Sequence, residues 1–168
     1  MNNIVLIGMP GSGKSTLGVL LAKALGYSFV DTDLIISRKA EKTLQNILDT
    51  DGLDSFLELE QQVGSELECD KTVIATGGSM VLSDTAMQHL KKNGVVVYIN
   101  VPFAEINRRV KNIRTRGIAF HKNETLESVY KNRKPLYEKY ADVTVDVLGK
   151  SQTIETTVDE LAEKLKNI

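Results

Sequence analysis

One short segment near the start of the chain restricts the possible folds more than any other feature. Residues 8–15, Gly-Met-Pro-Gly-Ser-Gly-Lys-Ser, match the pattern G-x-x-x-x-G-K-[ST] at each fixed position. The segment directly follows the apolar run 4–7 and precedes a helical pattern over 14–25, as a phosphate-binding loop between a buried strand and a helix requires. A glycine-rich turn without a ligand is the alternative, and the strand–loop–helix context disfavours it.

This loop predicts where the phosphates of a nucleotide bind. Glycines allow backbone N–H groups to turn inward around an anion, and the helix that follows adds the positive end of its dipole. Lys14 is expected to reach the β- and γ-phosphates of ATP, and the Ser15 hydroxyl to ligate Mg²⁺. The predicted nucleotide-binding residues of the segment are Gly11, Ser12, Gly13, Lys14, Ser15 and Thr16.

Short apolar segments alternate with longer helical patterns along the rest of the chain, which is typical of a parallel sheet flanked by helices. The predicted strands span residues 4–7, 28–31, 72–76, 95–100 and 143–145. Helices are predicted over 14–25, from about 34, over 41–51, 53–67 and 83–92, from 102, over 126–140 and over 154–165. With 168 residues and neither a repeat nor a linker, the chain is predicted to form a single α/β domain.

Composition and charge exclude several classes of function. The formal net charge of −1 gives no broad basic surface for nucleic acid or anionic lipid. The apolar runs are too short to span a bilayer, and no targeting segment is evident. Cys69 is the single cysteine, so no internal disulfide can form. We therefore expect a cytoplasmic protein that binds neither nucleic acid nor membranes.

Polar residues and glycines follow two of the predicted strands. Asp31 and Asp33 come at the end of the second strand, the edge at which parallel α/β sheets bind ligands, although Asp33 could instead only cap the next helix. Gly77, Gly78 and Ser79 follow the third strand, where glycine allows a small ligand to approach backbone N–H groups. An ordinary tight turn explains these glycines equally well on their own. The two acidic residues together favour a binding site.

Basic residues in two places could meet an anionic ligand. Arg133 falls on the apolar stripe of the helix predicted over 126–140, and a buried arginine needs an anionic partner. That partner is either a carboxylate such as Glu60 or the substrate. The basic stretch 111–123, which contains Arg116, is typical of a lid that closes over a γ-phosphate, but solvated charged loops have the same composition.

Taken in order, these features resemble the shikimate kinase family over essentially the whole chain. The resemblance is carried by the loop 8–15, the acidic pair 31 and 33, Gly52 with Phe56 and Glu60, the strand end 76–78, Arg116, and Arg133 before Pro135-Leu136-Tyr137. It implies a three-layer α/β/α P-loop kinase fold with five parallel strands in the order 2-3-1-4-5. It also implies a helical substrate-binding region at about 32–60 and a lid at about 111–123.

The same resemblance implies a reaction, the ATP- and Mg²⁺-dependent phosphorylation of the 3-hydroxyl of shikimate in aromatic amino acid biosynthesis. Asp31 and Ser15 would hold the metal, Asp31 through water, and Arg109 would lie against adenine. A monomer acting on a small molecule is expected. The catalytic residues would be Lys14, Asp33 and Arg116, with Arg116 also meeting the transferring phosphate. The acceptor would be bound by Asp33, Gly77, Gly78, Ser79 and, through its carboxylate, Arg133.

Three positions depart from the family pattern. Leu57 stands where the family has an arginine that binds the acceptor carboxylate, Ser79 replaces the third glycine of the strand end, and residues 117–119 replace Pro-Leu-Leu in the lid. Losing a bidentate charge-assisted contact costs about 1.5–3 kcal/mol, or roughly tenfold to a hundredfold in affinity. The chain is therefore either a weakly binding shikimate kinase or a relative that phosphorylates another small polyol or sugar acid. A nucleotide-binding module without phosphoryl transfer and a nucleoside monophosphate kinase are further alternatives.

Overall fold

A five-stranded parallel sheet forms the centre of the computed structural model, which describes residues 3–111, 116–148 and 152–168. The strands are β1 (Asn3–Ile7), β2 (Ser28–Asp31), β3 (Thr72–Ala75), β4 (Gly94–Asn100) and β5 (Val143–Asp146). They lie in the order β2-β3-β1-β4-β5, and each neighbouring pair is parallel. This confirms the strand order that the family resemblance implied.

Helices connect the strands, because parallel neighbours require crossover connections. They are α1 (Lys14–Leu25), α2 (Thr32–Ala40), α3 (Leu44–Thr50), α4 (Gly52–Glu66), α5 (Asp84–Lys92), α6 (Phe103–Arg109), α7 (Leu126–Tyr140) and α8 (Ile154–Lys166), with a 3₁₀ helix at Met80–Leu82. Helices α1 and α8 pack against each other, and α4 packs against α5, which gives the predicted three-layer α/β/α arrangement. Within the described ranges, no helix combines the length and the apolar character that a membrane span needs.

The central strand β1 positions the phosphate loop. All five of its residues are buried, and Ile4 to Ile7 have an exposed fraction of 0%. A strand covered by helices on both faces needs this continuous apolar run rather than alternating polarity. Since the loop follows β1 without any linker, the core of the protein fixes where the loop begins.

Helices α2, α3 and α4 form a second apolar cluster beside the sheet. Ile36, Ile47, Phe56 and Val63 are buried in this cluster, and Ala119 from the segment before α7 is buried with them. The cluster therefore joins the helices of the predicted substrate-binding region to the described part of the predicted lid.

Two predicted helix boundaries are wrong. Helix α2 begins at Thr32 rather than near residue 34, because Asp31 is its N-cap and accepts a hydrogen bond from the backbone N–H of Asp33. Asp33 thus lies in the first turn of α2 and is not the cap. The helix predicted over 41–51 is shorter, since the Thr43 side chain caps α3 only from Leu44.

Candidate active site

The loop between β1 and α1 has the backbone geometry of an anion-binding site. Gly11 and Gly13 have φ angles of 78° and 89°, in the left-handed region that glycine adopts readily. Gly13 is the N-cap of α1 and contributes no side-chain capping bond. The first N–H groups of α1 therefore have no intrahelical partners and are directed toward a ligand in front of the helix.

Lys14 folds back over this loop. Its Nζ donates hydrogen bonds to the carbonyl oxygens of Gly8 and Met9 at 2.9 and 2.8 Å, and to Ser12 Oγ at 3.3 Å. Burial lowers the pKa of Lys14 to about 8, although nearby carboxylates favour its charged form. Phosphate oxygens at this position would provide the strong negative partner that the buried ammonium group lacks.

A hydroxyl and a carboxylate lie side by side next to the loop, in an arrangement that suits Mg²⁺. Ser15 Oγ donates to Asp31 Oδ2 at 2.8 Å, while Asp31 Oδ1 caps α2. Over the residues with described positions, no group of three or more His, Cys, Asp or Glu side chains could hold a metal alone. Magnesium in phosphoryl-transfer sites needs only one or two carboxylates, with phosphate oxygens and water as its other ligands. The pair therefore fits an ion that is shared with a nucleotide.

The predicted acceptor residues meet where β2 and β3 end. A Cβ added to Gly77 would lie 2.7 Å from Asp33 Oδ1 and 2.8 Å from Glu60 Oε2, and one added to Gly78 would lie 2.7 Å from Pro10 Cδ. Neither glycine has a positive φ, so the backbone conformation does not require glycine here. Both are required because neighbouring groups fill the space of a side chain. The strand end is therefore packed against the carboxyl groups of Asp33 and Glu60 and against Pro10 of the phosphate loop.

The carboxyl groups of Asp33 and Glu60 lie at this strand end, and both have pKa values above the ordinary range. Burial, with a smaller effect of the Asp31 charge, raises the pKa of Asp33 to about 6. Burial also raises the pKa of Glu60 to about 7. A carboxylate such as Asp33 is mostly ionised at neutral pH and is more basic than an exposed one, which suits a general base.

Arg133 is buried, as its position on the apolar stripe of α7 predicted. Its exposed fraction is 5%, and Nη2 donates to the carbonyl oxygen of Ala119. Among the described residues, Nη1 has no hydrogen-bond partner, and no ion pair joins Arg133 to Glu60. Glu60 is thus near enough to interact with Arg133 through charge but is not hydrogen-bonded to it, and Nη1 stays available to an anionic ligand.

A cavity of about 290 Å³ brings most of the predicted site residues together. Three predicted residues lie outside its lining, namely Ser12, Asp31 and Arg109. The predicted residues that line it are Gly11, Gly13, Lys14, Ser15, Thr16, Asp33, Gly77, Gly78, Ser79, Arg116 and Arg133.

The described part of the predicted lid borders this cavity. Residues 112–115 lie outside the described residues, and 116–119 contribute to the cavity lining. The Gly117 N–H donates to Gln45 Oε1 of α3 at 2.9 Å, and Ala119 is buried against the helices of the second cluster. This segment is thus attached to the predicted substrate-binding region.

Two arginines connect the same segment to the phosphate loop. Arg116 Nη1 donates to the carbonyl oxygen of Arg109 at 3.0 Å, and Arg109 Nη1 donates to the carbonyl oxygen of Gly11 at 3.1 Å. Arg109 is also paired with Glu105 at 2.9 Å. Arg116 is exposed and lines the cavity that the phosphate loop also lines.

Glu60 is a candidate site residue that the sequence analysis named as part of the family resemblance and as a possible partner of Arg133, but did not assign to the site. It has an exposed fraction of 2% and lines the cavity. The signal that identifies it is its spacing, because Phe56, Glu60 and Val63 share one buried stripe of α4. An acid on such a stripe is costly unless it has a partner, which makes a functional role worth testing.

Comparisons with known proteins agree with this geometry. A sequence profile described as shikimate kinase matches residues 10–166. The chain belongs to the shikimate kinase family. A shikimate kinase of Clostridium botulinum is 39% identical over 173 aligned residues, which cover 100% of both chains. One of Rippkaea orientalis is 37% identical, with 99% of this chain and 89% of that relative covered. Shikimate kinase from Acinetobacter baumannii in complex with shikimate has a TM-score of 0.85 at 32% identity, covering 99% of this chain and 92% of that one.

Leu57 and Ser79, two positions at which the resemblance predicts a departure from the family pattern, line one cavity. Leu57 does not line the main cavity but a neighbouring one of about 320 Å³, and Glu60 and Ser79 line both cavities. The Ser79 hydroxyl donates to Glu60 Oε1 at 2.6 Å. Ser79 therefore makes a contact that a glycine at this position could not make.

Binding of MgADP is expected to take up protons at alkaline pH. Phosphate oxygens favour the ammonium form, so they should raise the pKa of Lys14 well above about 8. At pH 9, where about 90% of such a group is deprotonated and the phosphates are fully ionised, we expect close to one proton per ADP. Isothermal titration calorimetry in buffers of different ionisation enthalpy measures this number.

The matched variant for this measurement is Lys14→Arg, because a guanidinium stays protonated throughout the pH range. Proton uptake at pH 9 should be lost in the variant. Equal uptake by the variant and the wild type would show that another group titrates.

Proposed function

We propose that this protein transfers the γ-phosphoryl group of ATP to the 3-hydroxyl of shikimate, giving ADP and shikimate 3-phosphate. The observation that carries the proposal is the shared cavity, in which the phosphate loop, Asp33 and Arg133 line one space. ATP binding alone needs neither the acid nor the buried arginine. The relative from Acinetobacter baumannii, whose complex contains shikimate, supports the same acceptor for this chain.

The donor side of the reaction belongs to the phosphate loop. Backbone N–H groups at the start of α1 bind the phosphates, and Lys14 moves from the loop carbonyls to the β- and γ-phosphate oxygens. Ser15 and, through water, Asp31 would hold Mg²⁺, which would supply positive charge to neutralise the phosphate oxygens. Because the transition state of phosphoryl transfer is loose, positioning and electrostatic stabilisation provide most of the catalysis.

The acceptor side orients the hydroxyl that attacks. Asp33 accepts the proton of the 3-hydroxyl as the oxygen–phosphorus bond forms and the bond to ADP breaks. The unpartnered Nη1 of Arg133 binds the shikimate carboxylate, a charge-assisted contact. The backbone N–H groups of Gly78 and Ser79 complete the acceptor site, whereas the N–H of Gly77 donates to Thr32 Oγ1 at 3.3 Å.

Acceptor-dependent formation of ADP tests this function. With MgATP and millimolar shikimate we expect continuous ADP release, and phosphorus NMR should identify the 3-phosphate. Turnover on another polyol acid but not on shikimate would transfer the assignment to that acceptor. Tight ATP binding without ADP release on any acceptor would favour the nucleotide-binding module.

Replacing Leu57 with arginine is expected to lower the KM for shikimate by about tenfold or more, because it restores the second cation that the family pattern has for the carboxylate. Steady-state kinetics with varied shikimate measures the effect. Leu57→Met keeps an uncharged side chain of similar volume and is the matched control. An unchanged KM in Leu57→Arg would show that the bound carboxylate is out of reach of position 57.

We also propose the division of the chain that the resemblance implies, with residues 32–60 binding the acceptor and residues 111–123 acting as a lid. The hydrogen bond between Gly117 and Gln45 supports contact between these two regions. A cytoplasmic monomer is the proposed working form, supported by the free thiol of Cys69 and by the need for ATP. Sedimentation equilibrium tests the monomer.

A further inference from the structure

Two buried polar atoms without hydrogen-bond partners belong to residues that line the active-site cavity. They are Glu60 Oε2 and Arg133 Nη1, on side chains with exposed fractions of 2% and 5%. Leaving such atoms unpaired costs free energy, so buried polar groups nearly always have a partner. Because these two atoms do not pair with each other, each is available to a ligand that occupies the cavity.

The Glu60 carboxyl group has a fixed orientation. Its Oε1 accepts the hydrogen bond from Ser79 Oγ at 2.6 Å. Its Oε2 lies 2.8 Å from the point where a Cβ of Gly77 would stand, and Asp33 Oδ1 lies 2.7 Å from the same point. The two acidic oxygens therefore flank the backbone of Gly77, and Oε2 is directed at the space beside Asp33.

The chemistry of the two atoms indicates which part of an acceptor each can bind. Arg133 is a donor with a positive charge and suits a carboxylate. Burial raises the pKa of Glu60 to about 7, so that its carboxyl group exists in both protonation states near neutral pH. A hydroxyl suits either state, since it donates to a carboxylate and accepts from a carboxylic acid. Leu57, three residues earlier on α4, offers Glu60 no donor.

We propose that Glu60 binds the acceptor directly, through a hydrogen bond between Oε2 and a ring hydroxyl other than the one that is phosphorylated. Ser79 holds the carboxyl group in the orientation that this bond requires. The inference rests on the proposed function, because shikimate carries two such hydroxyls, at positions 4 and 5. Glu60 would then be a specificity-determining residue that recognises a polyhydroxylated ring.

A binding cycle between protein and ligand tests the proposal. Calorimetry in the presence of MgADP would give the Kd of shikimate, 4-deoxyshikimate and 5-deoxyshikimate for the wild type, Glu60→Ala and Glu60→Gln. Removal of one of the two hydroxyls is expected to weaken wild-type binding about tenfold or more. Glu60→Ala should weaken shikimate binding by a similar factor and should not distinguish shikimate from that analogue. Glu60→Gln, which keeps an acceptor for Ser79 and a polar group at the Oε2 position, should stay within about threefold of the wild type.

Three results would overturn the proposal. In the first, Glu60→Ala weakens the binding of all three ligands by one common factor, which indicates a structural role for Glu60. In the second, the wild type binds both analogues with the same affinity as shikimate. In the third, the wild type does not bind shikimate, and this result overturns the proposed function together with the inference. The first two results overturn the inference alone. MgADP affinity and circular dichroism report folding, and Glu60→Met, which keeps the volume without polar atoms, replaces Glu60→Ala if that variant does not fold.

Discussion

Replacing Arg116 with alanine is expected to lower kcat by about 10³-fold while changing the KM for shikimate only a few-fold. An arginine that contacts the transferring phosphoryl group stabilises charge that is spread over its oxygens in the transition state, and such arginines contribute about 10³–10⁵ in kcat. Arg116 lines the cavity together with Lys14 and Asp33, and its hydrogen bond to the carbonyl of Arg109 places it near the phosphate loop. Steady-state kinetics with each substrate varied in turn separates the effect on kcat from the effect on KM.

Arg108→Ala is the matched control for that measurement. Arg108 is exposed on the outer side of α6, where it pairs with Glu105, and it does not line the cavity. Its loss should leave both kinetic constants within about twofold, because exposed ion pairs contribute little. If Arg116→Ala retained more than a tenth of the wild-type kcat, Arg116 would be a lid residue without a role in the transition state.

Much of the fold could be predicted because local sequence patterns specify it. The continuous apolar run of β1 predicted a strand covered on both faces, and Gly26 after the periodic pattern predicted the end of α1. The start of α2 was placed wrongly because two aspartates compete for the capping position, and only the backbone geometry decides for Asp31. Local patterns do not contain the order of the strands in the sheet, which the family resemblance implied instead.

The acceptor side of the site was less predictable for a physical reason. Gly77 looks like a turn residue in the sequence, and its need for glycine comes from Asp33 and Glu60, which are distant in the chain. The missing ion pair between Arg133 and Glu60 likewise depends on tertiary packing, since both lie on buried stripes that sequence periodicity could identify. Periodicity indicates that a charge is buried, but it does not tell which group pairs with it.

Asp33→Asn is expected to lower kcat by about 10²–10⁴-fold, the usual contribution of a general base, with a much smaller change in the KM for shikimate. Asparagine keeps the shape of the side chain and an oxygen that can accept a hydrogen bond from the hydroxyl, but it cannot take up the proton. In the wild type, kcat/KM should fall about tenfold per pH unit below about 6, the pKa of Asp33 in the free enzyme, and the variant should lose this dependence. The Glu60→Gln variant shows whether Glu60, with its pKa of about 7, also contributes to the fall in activity at acidic pH.

The same substitution should stabilise the protein, which separates loss of chemistry from loss of folding. Because burial raises the pKa of Asp33 from 3.8 to about 6, the folded state favours the protonated acid, and stability is lost as the pH rises through that range. Removing the charge is therefore expected to raise the free energy of unfolding at pH 8 by up to about 3 kcal/mol, with no gain below about pH 3.8, where both states are protonated. Urea unfolding at the two pH values measures the difference. A variant that is both less stable at pH 8 and less active would contradict the assignment of Asp33 as the general base. A stable variant that loses less than tenfold in kcat would make Asp33 a residue that binds the acceptor and not the base.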